Sequence, residues 1–68
     1  MAKTLEQAIK AQRERYAMEY TVSLAHAMMR RDEVMATYGA DDGEVAYCNE
    51  DIARYEAKAT EWTVKAAQ

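Results

Sequence analysis

Two side chains in this sequence carry reactive groups that enzymes use, and each is the only one of its kind. Cys48 has the single thiol and His26 the single imidazole. A thiol and an imidazole within hydrogen-bond distance form an activated nucleophile, and either residue could also serve a metal site. Both roles require a fold that brings the two together or gathers further ligands around them.

The acidic run Asp41-Asp42-Gly43-Glu44 is the other candidate for chemistry. Carboxylates that converge on a loop are the ligands that Ca²⁺ prefers. The run lacks the alternating acids and the distant glutamate of an EF-hand loop, so its spacing does not favour a calcium site. We expect no metal and no cofactor.

The elements that carry these residues are predicted to be helices. The chain has no proline, two glycines and 50% hydrophobic residues, and this composition favours helix. From residue 45 to residue 66, apolar side chains recur at alternating spacings of three and four, which is the pattern of one helix packed along another. The residues of the pattern are Val45, Cys48, Ile52, Tyr55, Ala59, Trp62 and Ala66.

The first helix is predicted over residues 5–38. Thr4 and Gln7 have the spacing of a capping box, and no helix breaker follows before Gly39. Arg13 and Arg31 intrude on the face that should meet the second helix. That face is expected to comprise Leu5, Ile9, Tyr16, Tyr20, Leu24, Ala27, Val34, Met35 and Tyr38.

A short turn should reverse the chain between the helices. Gly39 is expected to end the first helix in a left-handed conformation, and Asp41 to cap a second helix over about residues 42–66. A short connection makes consecutive helices antiparallel. The sequence therefore predicts an all-α, coiled-coil-like helical hairpin that forms a single domain over residues 1–68.

The equal rise of the two helices predicts which residues lie side by side. Residue i of the first helix should lie beside roughly residue 82 − i of the second. This rule places His26 near Glu56 and Cys48 near Val34, too far apart for a nucleophile and its base. We therefore predict that the protein is not an enzyme.

Cellular location is predicted from three observations. A single cysteine cannot form an internal disulfide, which favours an intracellular protein. No stretch reaches the roughly 18 consecutive apolar residues of a membrane span, and residues 1–4 do not form a secretion signal. The expected location is the cytoplasm, with no membrane contact.

Charge is segregated along the chain. Residues 32–53 contain seven acidic and no basic residues, whereas residues 1–31 contain six basic and three acidic ones. In a hairpin, the acids gather at the turn and form what we call the acidic knob, where they either bind a partner or only cap the helix. The knob comprises Asp41, Asp42, Glu44, Glu50 and Asp51, with Tyr47 beside them as a possible anchor.

Apolar residues form further surfaces outside the predicted seam. Leu5 and Ile9 lie on the part of the first helix that extends beyond the second, and Met18, Val22 and Met29 form an outer stripe almost opposite the seam. Exposed apolar surface of this kind marks a contact. It would serve either self-association, as a homodimer that makes a four-helix bundle, or the binding of a target.

These observations predict a non-enzymatic interaction protein that binds a larger protein partner of unknown identity. The most concrete form is a small acidic inhibitor of a nucleic-acid-handling complex, of the kind that bacteriophages encode against host defence or transcription machinery. One alternative is a structural or scaffold subunit of a helical assembly. A second is a dimeric nucleic-acid-binding regulator, which is disfavoured because the basic residues are spread over the first helix and interleaved with acids.

Overall fold

The chain forms a two-helix hairpin in a computed structural model that describes residues 4–68. Helix α1 spans Leu5–Tyr38, helix α2 spans Gly43–Ala66, and residues 39–42 connect them. The molecule is a rod of 53 × 19 × 12 Å, and residues 4–68 contain no strand. This confirms the predicted all-α hairpin and its helix bounds. Residues 1–3, which the predictions of a single domain and of no secretion signal include, lie outside the described part of the chain.

Contacts at both ends of the rod establish that the helices are antiparallel. Near the turn, the guanidinium of Arg30 on α1 lies 3.5 Å from the carboxylate of Glu44 on α2. At the opposite, open end, Arg13 donates a hydrogen bond to the backbone carbonyl of Lys65 at 3.4 Å. Residues early in α1 therefore lie beside residues late in α2.

The start of α1 is fixed by the predicted capping box. The backbone N–H of Gln7 donates to the hydroxyl of Thr4 at 3.2 Å, and the backbone N–H of Thr4 donates to the side-chain oxygen of Gln7 at 3.0 Å. Two N–H groups that the helix itself cannot satisfy are paired in this way. The first turn of α1 is thus stabilised by local contacts alone.

The turn differs from the prediction by one residue. Asp42, not Asp41, is the N-cap of α2: its backbone is extended and its carboxylate accepts the N–H of Glu44 at 2.9 Å. Asp41 occupies the tight turn instead, in which the N–H of Asp42 reaches the carbonyl of Gly39 at 3.3 Å. Gly39 ends α1 at the predicted position, with a φ of +93° that only glycine adopts without strain, but its ψ of 162° is outside the left-handed helical conformation that was expected.

The seam between the helices follows a regular alternation of three and four residues on both sides. Every α2 residue of the predicted pattern is buried or half-buried, and Val45, Cys48 and Ala59 are fully buried. Apart from Ala11 and Ser23, the half-buried residues of α1 follow the same spacing, with arginine at the first and sixth positions. They are Arg13, Ala17, Tyr20, Leu24, Ala27, Arg31 and Val34.

Tyr38 and Met35 were predicted to face α2, but both lie outside the seam. Tyr38 is 69% exposed because it is the last residue of α1, where the chain turns away from the seam. Met35 is 39% exposed because it lies one position beside the seam residue Val34. Tyr16 lies at the edge of the seam, where its ring packs on that of Trp62 with 4.8 Å between centroids.

Within residues 4–68, neither helix is both long enough and apolar enough to cross a bilayer.

The N-cap assignment predicts different effects of substituting the two neighbouring aspartates. We expect Asp42→Ala to lower the free energy of unfolding by about 1 kcal/mol, because the Glu44 N–H loses its acceptor. Asp41→Ala should change the free energy by less than about 0.5 kcal/mol, as ordinary surface substitutions do. Urea unfolding at a single protein concentration measures both variants, and equal losses would contradict the assignment.

Candidate functional site

The acidic knob surrounds the turn end of the rod, but its members do not form one patch. Asp41, Asp42 and Glu44 lie at the tip, within four residues of one another. Glu50 and Asp51 lie one to two turns along α2, and adjacent helix positions point about 100° apart. Tyr47 is 69% exposed and presents most of its ring to solvent.

Three of the five carboxylates of the knob are engaged within the hairpin. Asp42 caps α2, Glu44 pairs with Arg30, and Asp51 pairs with Arg54 on the next turn of its own helix. Within residues 4–68, the side chains of Asp41 and Glu50 have no hydrogen bond or ion pair. Asp41 and Glu50 are therefore the carboxylates that an external cation could engage without breaking an internal contact.

The sequence reasoning missed Arg30 as the counter-ion that reaches across the hairpin. Arg31 pairs with Asp32, at 3.3 Å, but Arg30 crosses to Glu44 on α2. The sequence places Arg30 level with the acidic residues near the turn, which makes it a candidate counter-ion for them. It does not show on which side of α1 the Arg30 side chain lies.

His26 and Cys48 are separated by their environments. His26 is exposed and borders an open cleft together with Ser23, Asp51 and Tyr55. Cys48 is 3% exposed and lies in the seam. Glu56, the predicted neighbour of His26, borders a different cleft with residues of α2 alone.

Residues 4–68 contain no group of three or more His, Cys, Asp or Glu side chains placed to hold a metal ion.

All five residues of the predicted apolar contact surface are exposed. Leu5, at 77%, is the most exposed large apolar side chain of residues 4–68 and lies with Ile9 on the first turns of α1. Met18, Val22 and Met29 of the outer stripe are between about half and two-thirds exposed. No residue of α1 is fully buried, so the second helix leaves most of the apolar surface of the first uncovered.

The two broad sides of the hairpin differ in character. One side, which we call the charged face, is marked by the Arg30–Glu44 ion pair and by the cleft of Ser23, Arg30 and Asp51. Residues seven apart share a side of a packed helix. Eight side chains lie at seven-residue intervals from Arg30 on α1 and from Glu44 on α2, and five of them are charged. The eight are Tyr16, Ser23, Arg30, Thr37, Glu44, Asp51, Lys58 and Lys65.

The opposite side, the methionine face, is marked by a cleft that Met35 of α1 and Asn49 of α2 both border. The side chains of this face lie at seven-residue intervals from Met35 and from Asn49. All of them are exposed, and only Glu14 and Glu56 among them are charged. Sequence reasoning missed this face because it assigned Met35 to the seam and left Met28 unassigned. The face comprises Glu14, Thr21, Met28, Met35, Asn49, Glu56 and Thr63.

Comparisons of the chain with protein-family models, with curated proteins and with solved structures found no match.

The burial of Cys48 predicts slow reaction of its thiol in the folded protein. We expect the thiol to react with a disulfide reagent at least about a hundredfold more slowly than an exposed cysteine, because the reaction requires opening of the seam. The control is Cys48→Ala with Glu50→Cys, which moves the thiol by two residues to an exposed position outside the seam and the methionine face. Equal rates for the two proteins would contradict the burial of Cys48.

Proposed function

We propose that this chain is a non-enzymatic interaction protein that binds a larger protein partner through the acidic knob. The observation that carries the proposal is that Asp41 and Glu50 are exposed and free of internal partners within residues 4–68. Carboxylates that are not already neutralised attract a basic surface at a distance and set the rate and specificity of association. Tyr47 lies beside them and supplies the apolar area that such a contact needs at its centre.

The most concrete partner is a complex that handles nucleic acid, and the chain would act as its inhibitor. A basic groove that binds phosphates also attracts an array of carboxylates, so an acidic rod competes with nucleic acid for the groove. The narrow shape, 19 × 12 Å across the rod, supports entry of the turn end into such a groove. An origin in bacteriophages, which encode small inhibitors of this kind, belongs to the same proposal.

A structural role is the second candidate function. It is favoured by the exposure of Leu5, Met18 and Met29, at 77%, 69% and 60%. A scaffold subunit of a helical assembly would use these side chains for contacts with neighbouring subunits. The two functions use different binding surfaces. The inhibitor would bind through carboxylates at the tip, and the scaffold through apolar side chains along α1.

We also propose that the hairpin forms a homodimer, in the form of a four-helix bundle. The structure exposes 5387 Å², whereas a compact monomer of its mass of 7.8 kDa exposes about 4,400 Å². The excess of about 1,000 Å² is comparable to the roughly 800 Å² that each partner buries in a stable complex. The small core gives a further reason, since only three side chains of residues 4–68 are fully buried and a domain of this size is marginal without additional contacts.

Charge reversal at the unpaired carboxylates tests the inhibitor proposal. We expect Asp41→Lys with Glu50→Lys to abolish capture of a nucleic-acid-binding protein from host extract and to leave the hairpin folded, because neither residue caps a helix or forms an internal ion pair. The captured protein is identified by mass spectrometry and then tested for competition between this chain and nucleic acid. Competition should weaken at least about tenfold in the variant and fall with rising salt.

The matched control is Glu6→Lys with Glu61→Lys, which changes the net charge equally but at positions away from the turn. It should retain both capture and competition. Capture that survives the knob variant but is lost in Val22→Asp with Met29→Asp would reject the inhibitor proposal and support the scaffold.

The dimer proposal predicts the mass of the pure protein in solution. Light scattering behind a sizing column should give about twice the monomer mass at micromolar concentrations, where an interface of about 800 Å² per partner remains associated. A mass of 7.8 kDa across the concentration range would reject the dimer.

A further inference from the structure

We infer that the methionine face is the surface on which a second copy of this chain packs, with the two rods antiparallel. The inference rests on the proposed dimer and adds the face and the orientation. Three observations carry it: the chemistry of the two broad faces, the threonine hydroxyl contacts, and the distribution of charge along the rod.

Of the two broad sides, the methionine face has the lower free-energy cost of removal from water. Burial of an unpaired charge is costly, whereas burial of methionine is favourable and its flexible side chain fills irregular gaps. The charged face carries five charged side chains and the methionine face two, Glu14 and Glu56. Met28 and Met35, on the methionine face, are 41% and 39% exposed, so each retains apolar area for a partner to cover.

The hydroxyl groups of two threonines on the face already donate hydrogen bonds within their own helices. Thr21 donates to the backbone carbonyl of Ala17 at 2.8 Å, and Thr63 donates to that of Ala59 at 2.7 Å. A hydroxyl bonded to its own helix can be covered by a partner without losing its hydrogen bond. The face therefore has fewer polar groups in need of a hydrogen-bond partner than its sequence suggests.

Residues next to the face extend the surface that a partner would contact. Met18, Ala25 and Asp32 on α1, and Ala46, Ala53 and Thr60 on α2, repeat at positions between the methionine face and the outer edges of the hairpin. All six are exposed, and Asp32, the one charged member, is paired with Arg31 of its own helix. Small side chains of this kind allow helices to approach closely, as the packing of two hairpins requires.

Charge along the rod distinguishes the two possible orientations. The turn end contains seven acids and two arginines, whereas residues 10–15 near the open end contain Lys10, Arg13 and Arg15 against Glu14. In a parallel pair the two acidic ends lie together and repel each other. In an antiparallel pair, each acidic end lies beside the basic segment of the other copy.

The carboxylates of the face favour the same orientation. A parallel two-fold pair places Glu14 near Glu14 of the other copy, which is a repulsive contact. Reversal of one rod about its centre brings Glu14 to within about one helical turn of Arg31 of the other copy, because residues 5–38 have their midpoint near residue 21. Arg31 lies on the same side of the seam as the cleft of Met35 and Asn49.

Distances between identical labels in the dimer test the orientation. A spin label on Ala40→Cys, in a Cys48→Ala background, marks the turn end of each copy. Antiparallel rods separate the two labels by more than about 40 Å, and parallel rods hold them within about 30 Å, or two to three helix diameters. A label at Glu19→Cys, near the middle of the rod, should give a short distance in both arrangements and so verifies that the labelled chains are paired.

A short distance at Ala40→Cys would overturn the antiparallel orientation while leaving the dimer intact. Absence of any intermolecular distance at both sites would overturn the dimer together with the inference. Neither outcome concerns the acidic knob, because the experiment contains no other protein, so failure here is distinguishable from failure of the proposed inhibitor.

The face itself is tested by substitutions at adjacent methionines that differ only in the side of α1 they occupy. We expect Met28→Glu, on the methionine face, to raise the dissociation constant of the dimer at least about tenfold, because a carboxylate replaces a buried apolar side chain. Met29→Glu, on the outer stripe, should raise it by less than about threefold. Sedimentation equilibrium measures both, and circular dichroism verifies that helix content is unchanged.

A larger effect of Met29→Glu than of Met28→Glu would transfer the interface to the outer stripe and overturn the inference. Should a glutamate variant lose helix content, the milder pair Met28→Gln and Met29→Gln provides the same comparison with uncharged side chains. The label distances, which require neither substitution, remain an independent test of the pairing.

Discussion

Two helices can contact each other along only one line, and this constraint determines how every side chain in the hairpin is placed. Of the seven positions in each helical repeat, two lie on the seam and five face outward. The seam here is not fully apolar, since α1 contributes Arg13 and Arg31 to it, and only three side chains of α2 are fully buried. Much of the apolar content of the chain must therefore remain on the surface, whatever its function.

The same constraint gives the surface its organisation. Because the repeat is regular, residues of similar character seven apart align into strips that run along the rod. One broad side collects mainly charged side chains, and the other collects mainly methionine, threonine and asparagine. A rod with one charged and one weakly charged side can pair with another rod and still keep most of its charges in water.

Much of this fold could be predicted because its signals are local. The spacing of apolar residues in α2, the Thr4–Gln7 capping box and the position of Gly39 each depend on residues within a few positions of one another, and each prediction was confirmed. The N-cap of α2 was misplaced by one residue because Asp41 and Asp42 both have the right side chain. Only the backbone conformation of the turn determines which carboxylate reaches the Glu44 N–H.

The errors at the candidate site have a different origin. Matching residues by their distance from the turn gives their height along the rod but not the side on which they lie. His26 was therefore expected beside Glu56, whereas the structure places it at a cleft with Asp51, and the role of Arg30 toward Glu44 was missed. Met35 was assigned to the seam because the predicted face was broader than the line along which two helices touch.

The open end of the rod contains the only tryptophan of the chain. Trp62 packs on the ring of Tyr16, and the ammonium group of Lys65 lies over the ring of Trp62. Helix α2 ends four residues after Trp62. A hairpin forms its contacts from the turn outward, because closing a short loop costs less entropy than closing a long one. Trp62 therefore joins the structure among the last residues and leaves it among the first, so tryptophan fluorescence reports fraying of the open end, while the turn end is invisible to it.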